Sequence, residues 1–109
     1  MTMVYSELGL VQTIWQEIHN HIQQKKDAVF AEIVNYPPPI PACDVQFNFL
    51  LAERARLSQE LKRLEDLSQE PLSQRAQLQI IEEYIASSAD LDEAVVGQIR
   101  MAVSRARSQ

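Results

Sequence analysis

The chain has 109 residues, 46% of them hydrophobic and 23% charged, with a formal net charge of −5. Such a length makes one domain, whose core hides about two-thirds of the unfolded chain's surface. The acidic balance disfavours nucleic-acid binding by the whole surface, the 2 glycines argue against a many-turned β fold, and no apolar run approaches the roughly 18–20 residues of a membrane span.

Two breaks divide the chain. The run Tyr36-Pro37-Pro38-Pro39-Ile40-Pro41 contains 4 of the 5 prolines. Proline removes backbone donors and disfavours helix in the residue before it, so no helix crosses this stretch. Ser68-Gln69-Glu70-Pro71 is the second break, and Ser87-Ser88-Ala89-Asp90 a weaker third.

The first segment, about 6–34, places Leu8, Val11, Trp15, Ile18, Ile22 and Val29 at heptad spacing, with Lys25 on the same seam. Ile14, Phe30 and Ile33 widen the stripe, which suits a bundle better than a two-stranded coil. The second segment, about 44–67, opens on Asp44 as a candidate N-cap. Its stripe is Phe47, Leu50, Leu51, Leu57, Leu61 and Leu64, with Arg54 on the seam. Two long amphipathic segments and a stiff connector at 35–43 predict an antiparallel helical hairpin. Tyr36, Phe47 and Phe49 are expected to pack together under that connector.

The third segment, about 73–87, faces inward with Leu78, Ile81, Tyr84 and Ile85. The fourth, about 91–104, starts at a capping-box pair, Asp90 and Glu93. Leu91, Val95, Ile99 and Ala102 form its inward stripe, flanked by Val96 and Val103. Gly97 lies inside this helix, as a glycine does where another helix backbone comes close. Residues 105–109 read as a frayed polar tail. The fold expected is an all-α bundle: a long antiparallel hairpin plus two shorter C-terminal helices.

Little in the chain points to catalysis. His19 and His21 stand two apart, about 200° around a helix, and cannot share one metal ion. Glu17 and His21 are four apart and could, but zinc wants three or four ligands. Cys43, the single cysteine, excludes an intramolecular disulfide. Its neighbour Asp44 opposes thiolate formation, and neither histidine is placed to serve as a base. No phosphate-binding glycine loop, nucleophile motif or paired Glu-x-x-His motif occurs. A non-enzyme without metal, cofactor or small-molecule substrate is the expectation. With no basic start or apolar leader at the N-terminus, a cytoplasmic location is expected too.

What remains is interaction. The short helices, about 30 residues, cannot cover about 53 residues of long helix, so apolar seam should stay exposed. Such exposure marks an interface, most simply with a second copy in a dimer, otherwise with another protein. The interface residues expected are Trp15, Ile18, Ile22 and Val29 with Arg54, Leu57, Leu61 and Leu64. Arg54 on the seam is either buried and paired, with Glu32 or Asp27, or it snorkels to the surface. The proline run is read as a rigid connector, with PPII docking as the other use. Arg100, Arg105 and Arg107 match the C-terminal end of the helix macrodipole. They also form the alternative site, a small anion or nucleic-acid patch.

Overall fold

The structure, a computed structural model, describes residues 2–37 and 45–108. Among them are four helices and no strand: α1 (Thr2–Val34), α2 (Val45–Ser68), α3 (Gln74–Ser87) and α4 (Glu93–Arg107). The all-α bundle built on a long hairpin is therefore as the sequence predicts. The side chain of Leu8, the prolines after Pro37, Cys43 and the Asp44 cap lie outside the described residues. α1 begins at Thr2, ahead of the expected start, because neither Pro nor Gly stands before Gly9 to stop it.

α1 packs along α2, and α3 and α4 pack on each other and on α1. The core is one cluster: Val11, Ile14, Trp15, Ile18 and Ile22 from α1, Leu57, Leu61 and Leu64 from α2, then the inner faces of α3 and α4. At 1.5 Å per residue, α1 is about 50 Å long and α3 and α4 only about 21–23 Å each. The molecule measures 57 × 25 × 21 Å, so the hairpin extends well past its short partners.

Two side chains anchor α3. Ser73 caps its N-terminus, its hydroxyl accepting from the Ala76 N–H. Gln77, 4% exposed, accepts from Trp15 Nε1 at 2.8 Å and donates to the Glu70 carbonyl at 2.8 Å. Its buried amide is thereby satisfied at both ends, which removes the desolvation penalty it would otherwise carry. Across the same core the Trp15 and Tyr84 rings meet edge to face, centroids 6.3 Å apart.

α4 departs from expectation at both ends. Its N-cap is Asp92, not Asp90, and the Asp92 carboxylate accepts from Val95 N–H at 2.9 Å. Asp90 is held instead by two cations of the hairpin. Leu91, 8% exposed, enters the core ahead of the helix, and Val96 packs against the same cluster. These are the N′ and N4 positions that a hydrophobic staple joins. Asp92→Ala should cost about 1 kcal/mol in urea unfolding, and an unchanged midpoint would argue against this cap. The inner stripe keeps Leu91, Val95 and Ile99 and continues through Val103 and Ala106, both buried, while Ala102 is only partly so. The helix does not fray at residue 105 but runs to Arg107: Ala106 is 1% exposed, its carbonyl accepts from Gln74, and Arg107 pairs with Glu82. Nothing among the described residues lies within 4 Å of a Cβ built on Gly97, so none of the described helices makes the close approach expected there.

Candidate functional site

The α3–α4 pair ends at a charged clasp. The Arg56 guanidinium grips Asp90 with both arms, at 2.6 and 3.0 Å, and also pairs with Glu53 one turn away. Lys25 reaches the same carboxylate at 3.4 Å. Arg56 holds the Asp90 carboxyl below the usual carboxylate range, against the opposing effect of burial. Lower on α2, Glu60 accepts from the Tyr84 hydroxyl at 2.8 Å, and Arg63 lies over the Tyr84 ring. Burial, helped by that carboxylate, pushes the Tyr84 phenol above its ordinary pKa. The short helices thus dock on the α2 face that carries Arg56, Glu60 and Arg63.

Lys25 and Arg56 also mark where cover stops. Beyond them the hairpin carries Phe30 (45% exposed), Val34 (63%), Phe49 (58%), Val45 and Leu51. Only Leu50 is buried in this part of α2. Tyr36 and Phe47 do meet, ring centroids 5.3 Å apart. Phe49 does not join them, because two residues further on, a side chain points about 200° away. Arg54 is exposed and lies over the Phe30 ring, its guanidinium carbon 4.7 Å from the centroid. It is neither buried nor paired with Glu32 or Asp27; Asp27 accepts from Gln23 instead. A cation over an aromatic face in water is a modest stabiliser, about 0.5–1 kcal/mol.

The other expected interface residues sit elsewhere. Trp15, Ile18, Ile22, Leu57, Leu61 and Leu64 are buried in the chain's own core, and Val29 packs at its edge. Periodicity could not separate core from interface, since both require the same apolar stripe. Arg100, Arg105 and Arg107 lie on α4, but Arg107 is ion-paired with Glu82. His19 and His21 are half-buried rather than fully in solvent. Among the described residues no group of three His, Cys, Asp or Glu side chains could hold a metal ion. No helix among them is long and apolar enough to cross a membrane.

Two open clefts flank α1. One, about 360 Å³, lies between α1 and the start of α4, with His21, Lys25, Asp90 and Asp92 on its walls. Its one lysine already serves Asp90, and two acids beside the α4 N-terminus oppose anion binding there. The other, about 310 Å³, lies between α1 and α2, with Trp15 and Leu64 as floor and Gln12, Gln16, His19 and Glu65 around it. Here His19 Nδ1 is buried with no hydrogen-bond partner. The sequence reading missed this cleft, because Gln12, Gln16 and Glu65 look like ordinary solvent-facing residues.

Comparison with known protein families, with curated proteins and with solved structures found no match.

Proposed function

We infer that this chain is a small helical protein–protein interaction module, cytoplasmic and without catalytic chemistry of its own. It acts as an adaptor, assembly factor or regulatory subunit, and it does so as a dimer of identical chains. One observation carries the reading: the hairpin continues past the α3–α4 pair and leaves Phe30, Val34, Phe49 and Leu51 in water. Exposed apolar area costs free energy in proportion to its extent, about 25 cal/mol per Å². Large side chains concentrated at one end of a molecule are the mark of a contact surface. The anion-binding alternative at Arg100, Arg105 and Arg107 has no such support, since Glu82 already neutralises Arg107.

Sedimentation equilibrium over a wide concentration range tests this. The parent chain should sediment as a reversible dimer. Phe30→Ser/Leu51→Ser should shift it toward monomer, with helix content unchanged because neither side chain belongs to the core. A parent that stays monomeric at every concentration, or a variant that dimerises as well as the parent, would sink the proposal.

A further inference from the structure

We propose that the second copy binds on the face of the hairpin turned away from α3 and α4. The Phe30–Arg54 pair of each copy would seat in the Trp15–Leu64 cleft of the other, with Arg54 against Glu65. This rests on the dimer reading above and gives it a geometry.

The two features share one face. On α1 the positions Gln12, Gln16, His19, Gln23, Lys26 and Phe30 step by alternate fours and threes, one continuous stripe of a helix. On α2 the matching stripe is Leu51, Arg54, Ser58 and Glu65. Arg54 stands two residues from Arg56, about 200° around α2 and so away from the α3–α4 clasp. Phe30 stands about 140° around α1 from Lys25. None of the stripe's side chains meets α3 or α4 among the hydrogen bonds, ion pairs and ring contacts of the described residues.

The spacing is reciprocal. Phe30 is eleven residues from His19, and Arg54 is eleven residues from Glu65. Eleven residues make three turns to within about 20°, and span about 16 Å. Projection and cleft are therefore offset by the same length on both helices. A two-fold axis lying in this face, perpendicular to the helices, stacks α1 on α1 and α2 on α2 in opposite directions. It brings Phe30 to the level of the cleft and Arg54 to the level of Glu65 in one operation, twice per dimer. Self-complementarity of that kind is what an isologous interface requires.

Charge and size agree. The Glu65 side chain is exposed and has no ion pair among the described residues, and Arg54 has only the Phe30 ring. Each therefore has its charge free for a partner. The cleft, about 310 Å³, equals roughly ten water volumes, room for one aromatic side chain on an apolar floor. From Gln12 to Val34 the face is about 33 Å long and about 20 Å wide. That is about 660 Å², close to the roughly 800 Å² per partner of a standard interface.

A charge swap tests the arrangement, read by sedimentation equilibrium on the full chain. Arg54→Glu and Glu65→Arg should each weaken the dimer about tenfold or more, by placing like charges opposite each other. Arg54→Glu/Glu65→Arg should return the dissociation constant to within about threefold of the parent, the pair being restored with its signs exchanged. A parent dimer untouched by either single change, or single losses that the double change does not repair, would overturn this geometry and leave self-association standing. A monomeric parent would overturn both.

Discussion

Trp15→Ala is expected to lower stability by about 3–5 kcal/mol, the range for truncating a buried aromatic. Small domains have only about 5–15 kcal/mol in total, so the variant should sit near the edge of folding. Trp15 is held in three ways. Its body is 3% exposed in the core, its ring packs edge to face with Tyr84 of α3, and its N–H donates to Gln77 of the same helix. Trp15→Phe isolates the last of these. It keeps an aromatic ring and leaves the Gln77 carbonyl oxygen buried without a donor, which should cost about 1–3 kcal/mol beyond the lost ring area. Gln77→Leu in the Trp15→Phe background removes the orphaned group, so part of that loss should return. Urea unfolding of the two single variants and the double gives the coupling directly. Additive losses would mean that the indole and the amide do not act as a pair.

Asp90→Asn should cost about 1–2 kcal/mol at neutral pH. Hydrogen bonds to charged groups contribute about 1.5–3 kcal/mol, but the Arg56 and Lys25 side chains are nearly half exposed and screening reduces the value. The pH dependence follows from the sign of the shift. Asp90 has a folded-state pKa below its ordinary value, chiefly because Arg56 hydrogen-bonds to its carboxylate. Such a group contributes its stability above the unfolded pKa, about 3.9, and loses it as the pH falls through the folded value. The gap between parent and Asp90→Asn should therefore be constant above about pH 5 and close below about pH 4. High salt should narrow it at neutral pH. A gap that widens on acidification would contradict the clasp.

Much of the architecture follows from local chemistry. Prolines at 37, 38, 39 and 41 forbid helix there whatever the surroundings, and heptad spacing from Val11 to Ile22 requires one helical face to be apolar. Ser73 and the stripe Leu78, Ile81, Tyr84, Ile85 place α3 with little help from its neighbours. The shortfall of short helix against long helix is arithmetic, and it anticipates apolar side chains left uncovered.

Tertiary structure decided how each stripe is used. Asp90 and Asp92 are both competent N-caps, and the choice went to Asp92 because Arg56, 34 residues from Asp90 in the chain, takes the other carboxylate. The apolar spacing marks Arg54 as the seam cation and does not single out Arg56. Docking of α3 and α4 on one side of α2 gives Arg56 an acid to hold and leaves Arg54 over Phe30. Trp15, Ile18, Leu57 and Leu64 fit a partner's seam as well as their own chain's, until α3 and α4 close over them. Gln77 reads as a surface glutamine until an indole N–H from α1 meets it. Helical period and capping are local properties, carried by residues within a few turns of one another. Which face is covered, and by what, depends on contacts between residues far apart in the chain, and no window of sequence contains both partners.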